Sequence, residues 1–383
     1  MKKLQKIICY LLFSFIAMCC FAQSFEIENT TLVRYIGKET QVTIPENVEM
    51  IGTYAFEECK VKNVIIPDSV KVIEEGAFYN CKKLKSIILP SSLETIYPGT
   101  FYNCYSLKEI EIPNTVSEIG RHAFCNCKSL KTVSLSENLK RFQHEAFYNC
   151  RKLKNMSIPS SLEFVGGNAI PNNCKLISEQ RKLDNLIISY INIIENTDSL
   201  NVNVMYPEIK GCSKLNDIIY KNINNNINEL ITLAEENSKV STGHYEIISK
   251  SNVTTSDDIV SVFLDTYYYC GGAHGNQSLT TYNYNLKSKK LVSLDVLLGK
   301  SFEEISIICK KELKENLITS DIELPEESRN ILNEMIEKGT DPISENFSLF
   351  TINNDSITVY FEPYQVAPYN YGVQKVEISA IKQ

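Results

Sequence analysis

Cysteine is the residue whose number and spacing first invite a chemical reading. The 383-residue chain has thirteen. Six of them, Cys59, Cys81, Cys104, Cys127, Cys150 and Cys174, recur at steps of 22 to 24 residues. Stacked units at that period would place equivalent Cα atoms roughly one strand spacing, ~5 Å, apart, which is within disulfide range. Side chains in such a ladder run parallel, however, so the expectation is a row of buried thiols acting as small apolar groups. Cys125-x-Cys127 has no His or second Cys pair at ligand spacing, so a metal is not expected there. A second candidate is Gly271-Gly272-Ala273-His274-Gly275. No Gly-Lys-Ser/Thr follows it, which excludes a phosphate loop. No nucleophile–base–orienter set assembles around it either. It reads as a tight turn whose glycines supply positive φ, with Gly271, Gly272 and His274 kept as candidate ligand contacts. Tyr364 and Tyr369, in the Tyr- and Pro-rich loop 363–371, are kept for the same reason, since Tyr suits rigid contact surfaces. A third candidate is basic: Lys62, Lys85, Lys108, Lys131 and Lys154 share one register of the same period. They would form a stripe suited to an anionic ligand; the preferred reading is a solvated row balanced by Glu109, Glu111 and their neighbours. No catalytic, cofactor-binding or metal-ligating residue is assigned, no cofactor is expected, and the chain reads as non-enzymatic.

The elements that must position these groups begin with the period. Besides Cys, Phe recurs at Phe56, Phe78, Phe101, Phe124 and Phe147, and Pro at Pro45, Pro67, Pro90, Pro113 and Pro159, with Ser136 in the missing slot. The unit reads I-P-x-S-V/L-x-x-I-x-x-x-A-F-x-N-C-x-x-L-K-x-I. A unit of this length cannot bury its apolar side alone, so neighbours stack into a solenoid. In each unit L-K-x-I-x-I/L-P is expected as a short strand, with Leu84, Ile87 and Leu89 inward and Lys85, Ser86 and Ile88 outward. These residues resemble the BspA-like leucine-rich repeats of bacterial surface proteins. That resemblance implies a curved solenoid with a strand-lined concave face, used for adhesion and binding without catalysis in the repeats.

The repeat fades at Ile170 and Pro171, and a different domain follows. Residues 179–195 place Leu183, Leu186, Ile187, Tyr190, Ile191 and Ile194 at helical spacing, which predicts a helix that caps or links. A long helix is predicted over 213–237 and two more over 302–317 and 326–338. Strands are predicted near 202–207, 245–253, 259–269, 278–286, 347–352, 356–361 and 373–378. Helices among antiparallel strands argue an α+β fold. The order Tyr268-Tyr269-Cys270-Gly271-Gly272-Ala273-His274-Gly275-Asn276, Leu291-Val292-Ser293-Leu294-Asp295 and Phe361-Glu362-Pro363-Tyr364 resembles the DUF3298 family, with a DUF4163-like region before it. The pair is similar to the lysozyme-sensing extracytoplasmic part of anti-sigma factors, and it also occurs beside the catalytic domain of some peptidoglycan deacetylases. The chain has neither a sigma-binding segment and membrane span nor a paired-Asp and His-x-x-x-His set, so the resemblance implies only the binding module. Cys212, Cys270 and Cys309 leave open one disulfide plus one free thiol.

Composition bounds the partners. Net charge is −7 and the pI is about 5.4, which argues against nucleic acid. Residues 178–383 hold 18 basic and 29 acidic side chains while residues 24–177 are near neutral. An acidic domain would be steered toward a basic lysozyme, although ordinary solubility accounts for the charge equally simply. At the N-terminus Lys2, Lys3 and Lys6 precede an apolar run to Met18, and Cys20-Phe21-Ala22 puts small residues at a cleavage site: a signal peptide. The run is shorter than the ~20 residues a membrane span needs. The expected plan is therefore a signal peptide at 1–22, a repeat solenoid with N-terminal cap at 23–177, a helical linker or cap at 178–200, and an α+β domain at 201–383. The expected function is that of an exported, non-enzymatic protein binding a protein or glycan, a basic lysozyme among the candidates. A surface adhesin is the alternative, and a cell-wall hydrolase a more distant one.

Overall fold

The computed structural model describes residues 24–197, 199–237, 244–271, 275–320, 323–353 and 356–379. The chain divides into two compact units, Met1–Ser178 with Ile194–Thr197, and Glu179–Ile193 with Asp198–Gln383. The expected signal peptide lies outside the described residues.

The first unit is the solenoid. Each turn contributes a three-residue strand, at Gln41–Thr43, Asn63–Ile65, Ser86–Ile88, Glu109–Glu111, Thr132–Ser134 and Asn155–Ser157. Registers such as Asn63↔Ser86 and Glu109↔Thr132 are parallel and repeat the sequence period. A second side carries two-residue parallel strands from Met50–Ile51 to Phe164–Val165. An antiparallel hairpin, Phe25–Glu28 with Thr31–Tyr35, opens the stack.

Inside the unit, residue types form ladders. Phe56, Phe78, Phe101, Phe124 and Phe147 are fully buried and stack face to face at 4.8–5.5 Å. Tyr35 continues the stack at 5.1 Å from Phe56, so the N-terminal cap supplies the aromatic partner that the first repeat lacks. The expected strand orientation holds: Leu84, Ile87 and Leu89 are buried, while Ile88 is 62% exposed. Ser136 stands in for the missing proline: it is buried and donates its hydroxyl to Asn114 O at 3.1 Å.

The next strands are β1 (Lys175–Leu183), β2 (Leu186–Asn196) and β3 (Leu200–Ile209), of which the start of β1 and the end of β2 count with the first unit and the rest with the second. The helix predicted over 179–195 is therefore a strand pair, and no helical linker or cap is present there. The physical reason is local. The run is rich in isoleucine, whose β-branching favours the pleat over the helix, and Asp184 takes φ 50 at the reversal between the strands. The corrected elements also bury alternate residues, Ile188 and Tyr190 among them.

Helix α1 (Ser213–Asn237) follows as predicted, then β4 (Tyr245–Ser256), β5 (Ile259–Cys270), β6 (Asn276–Asn285) and β7 (Lys290–Leu291). Strands β3 and β4 are parallel, and β4 to β7 are antiparallel in sequence order. α1 lies on β3 and β4 through Leu215, Ile219, Ile223, Ile227 and Leu230, all buried. The chain then forms α2 (Leu294–Leu298), α3 (Phe302–Lys314), α4 (Glu326–Gly339) and an antiparallel sheet of β8 (Phe350–Asn353), β9 (Ser356–Phe361) and β10 (Gln374–Ser379). Helices and this sheet share one core around Ile305, Cys309, Leu332, Ile336, Phe347 and Phe361. A capping box, Ser301 with Glu304, starts α3.

Candidate functional site

The repeat thiols are settled by geometry. All ten described cysteines are free. Four of the six repeat thiols point along the stack into backbone: Cys81, Cys104, Cys127 and Cys150 donate to the carbonyls of Phe56, Phe78, Phe101 and Phe124 at 3.0–3.3 Å. Burial pushes the thiols of Cys81, Cys104 and Cys127 well up, Cys125 to about 11 and Cys174 to about 12, because the apolar interior disfavours thiolate. Cys212, Cys270 and Cys309 form no disulfide. Among the described residues no group of three His, Cys, Asp or Glu could hold a metal ion.

A second ladder was not singled out in the sequence. Asn80, Asn103, Asn126 and Asn149, each just before the repeat Cys, take φ of 58 to 63. Their amides chain together: Asn103 donates to Asn80, Asn126 to Asn103 and Asn149 to Asn126, at 2.6–2.9 Å. The signal was Asn at a fixed offset, the L-residue that best tolerates the left-handed region.

The five lysines form a row. Each follows a buried leucine or valine, and successive backbones bond across turns: Lys85 N donates to Lys62 O at 2.7 Å and Lys131 N to Lys108 O at 2.8 Å. Lys85, Lys108, Lys131 and Lys154 are exposed and Lys62 is half-buried.

In the second unit, Gly272 and His274 lie outside the described residues. Gly271 has φ 78, the conformation expected of it. A Cβ on Gly275 would lie 2.2 Å from the Tyr267 ring, so a larger residue there would require that ring to move. Tyr369 donates its hydroxyl to Gly275 O at 3.3 Å, and its ring is 5.7 Å from that of Tyr364. The two motifs, 94 residues apart in sequence, thus meet at the start of β6. Tyr364 is 64% exposed, with φ 72 and its N–H donated to Ala367 O at 2.9 Å.

Sequence reasoning did not locate the open cleft of 560 Å³ beside β6, lined by Tyr282, Asn283, Val292, Ser293, Phe302 and Phe347 among others. Its floor is a buried polar tie. Asn283 donates to Phe350 O at 2.7 Å, Ile352 N donates to Ser261 Oγ at 2.9 Å, and Ser261 donates to Asn283 Oδ1. The 291–295 motif supplies one wall, which was the available signal.

An array of stacked short-strand turns and a separate α+β unit define a two-part protein of the repeat-scaffold class. The chain belongs to the BspA-type leucine-rich repeat proteins: that family matches in six copies, over residues 49–178 and 94–254. Residues 295–380 match the protein of unknown function DUF3298. A curated relative is the peptidoglycan-N-acetylmuramic acid deacetylase PdaC of Bacillus subtilis, 34% identical over 122 residues; the match spans 31% of this chain and only 24% of that protein. Among solved structures, the leucine-rich repeat protein of T. pallidum is 28% identical, covering 39% of this chain and 82% of that one at a TM-score of 0.31. A DUF3298 family member from Bacteroides fragilis is 17% identical, covering 51% and 90% at a TM-score of 0.35. No helix among the described residues is long and apolar enough to cross a membrane.

Proposed function

We propose that the protein is an exported, non-enzymatic binding protein in which the repeat array presents one recognition surface and the α+β unit another. The observation that carries this is the register of the array: every turn repeats the same buried ladder, so its outward residues fall into rows along one scaffold, as in solenoids that bind extended partners. Both matched families, BspA-type repeats and DUF3298, are non-catalytic, and export accords with the basic-then-apolar N-terminus.

For the α+β unit we propose a lysozyme-like muramidase or another cell-wall component as ligand. The concentration of acidic side chains in residues 178–383 supports a basic partner, and the partial likeness to a protein named as a peptidoglycan deacetylase supports a cell-wall setting. The DUF4163-like region before it belongs to the same proposal, as do Gly271, Gly272, His274, Tyr364 and Tyr369 as contacts. The test is titration of the full exported chain with a basic animal-type lysozyme at low and physiological salt. Submicromolar binding that persists at physiological salt is expected. Binding that vanishes with salt is nonspecific charge attraction and removes the lysozyme assignment. Adhesion to a host protein is the second reading, favoured by the repeat array; loss of adhesion on deleting residues 40–177 would support it.

A further inference from the structure

The solenoid's charges are sorted by position within the repeat. Residues 24–177 hold eighteen Lys and Arg and seventeen Asp and Glu. The five segments from Cys to the strand, 59–66, 81–89, 104–112, 127–135 and 150–158, contain eleven of the cations and only two of the acids, Glu109 and Glu111. Stacking brings these segments together along one edge. The result is two parallel rows: Lys62, Lys85, Lys108, Lys131 and Lys154, and beside them Lys60, Lys82, Lys128 and Arg151. Lys83 and Lys152 add to the edge. Ten of the eleven are exposed.

None of the eleven forms an ion pair among the described residues. Glu109 and Glu111, the two acids of these segments, pair with none of the five lysines. Arg151 donates to the neutral Asn149 at 2.7 Å, and Lys128 sits 4.7 Å over the Tyr105 ring. Like charges one strand spacing apart, roughly 5 Å, repel unless something neutralises them. A solvated row that served only solubility would be expected to intermix with acids; this one is segregated from them.

We propose that this edge binds a linear acidic polysaccharide lying along the stack, its carboxylate or sulfate groups meeting the two cation rows. The inference deepens the reading of the array as a recognition surface and rests on it. Regular spacing suits a polymer with regular anions rather than a compact one. Four of the five strand positions next to the lysines are short and polar, namely Asn63, Ser86, Thr132 and Asn155, with Ser86 already donating to Asn63 Oδ1 at 2.8 Å; such groups hydrogen-bond sugar hydroxyls, and the fifth position is Glu109. Single-stranded nucleic acid needs aromatic platforms for its bases. The edge has one aromatic, Tyr105, and Lys128 covers it.

The test uses the full chain with two labelled probes, a sulfated heparin oligosaccharide and a carboxylated oligogalacturonate, with oligothymidylate and polyphosphate as competitors. The expected result is binding of one or both oligosaccharides that weakens with salt, and the probe preferred identifies the anion. The exposed triple variant Lys85→Gln, Lys108→Gln, Lys131→Gln should lose about tenfold in affinity, in keeping with the loss of several charge contacts to a polyanion. The same three positions changed to Arg should retain it. A variant with the same charge change off the edge, Lys71→Gln, Arg121→Gln, Lys140→Gln, should bind as the parent does. Equal losses in both Gln variants, no binding of either oligosaccharide, or tighter binding of oligothymidylate or polyphosphate would overturn the proposal. Lysozyme titration of the same preparations separates the two failures: glycan binding absent with lysozyme binding intact removes this inference alone.

Discussion

At the level of single residues, the repeat cysteine is a packing group with a directed S–H. Its spacing alone is compatible with disulfides in an exported chain. What decides against them is direction, since the thiols of Cys81, Cys104, Cys127 and Cys150 are each aimed at the phenylalanine carbonyl of the preceding turn. Two measurable consequences follow from burial. In the native protein, brief iodoacetamide treatment should label the exposed Cys270 and spare Cys81, Cys104, Cys127 and Cys150, with peptide mass spectrometry as the readout; rapid labelling of the four would contradict the buried ladder. The pH effect has a definite sign. The folded state raises the thiol pKa, so the stabilisation is intact below the ordinary thiol value of 9.0 and is lost as pH rises toward about 11 for Cys125 and about 12 for Cys174. The chain should therefore lose stability across that alkaline window, followed by circular dichroism in denaturant, and replacing Cys125 by Ala should reduce the slope.

Among the repeating elements, the Asn turn explains why the unit ends its Phe segment as it does. Asn supplies both a tolerated positive φ and an amide that bonds to the next turn. These two roles are separable by substitution. Asn103→Gly keeps the backbone conformation and loses the amide bonds; Asn103→Ala loses the bonds and adds backbone strain of about 1–2 kcal/mol. Ala is expected to be the more destabilising of the two, by about that difference, in urea unfolding. Equal costs would mean that the amide ladder, not the backbone, sets the choice of residue. Elements of the second unit rest on ties between distant segments instead. Asn222 and Asn226 of α1 donate to the hydroxyls of Tyr282 and Tyr268 at 2.9 Å, so the helix is held by polar contacts as well as by its apolar stripe.

For the molecule as a whole, the two units are built by different rules. Contacts in the solenoid link neighbouring turns, so its stability is a sum of turn and interface contributions. Deleting residues 92–114, one whole 23-residue period, should leave a cooperatively folded array with Phe78 stacked on Phe124, at a lower melting temperature. Deleting residues 92–103 removes about half a turn and should abolish cooperative melting of the array. If both deletions behave alike by thermal circular dichroism, register is not what holds the stack. The second unit has no such modularity, since its core joins residues from Ile259 to Ile378.

The sequence by itself determined the array: its period, which residues turn inward, and the position of each Pro, Phe, Cys and Lys. These are properties of contacts repeated at one offset, so each copy reports the same constraint. It also located α1, α3 and α4, whose apolar stripes are long enough to show the helical period. Tertiary structure alone decided residues 179–195, where the apolar residues fit helix and strand alike, and where β-branching and the reversal at Asp184 tip the balance. It alone brought Tyr369 to Gly275, placed the cleft beside β6, and aimed the thiols. The reason is common to all of these: each depends on a partner far away in the chain, and a single run of residues carries no record of which distant backbone will stand beside it.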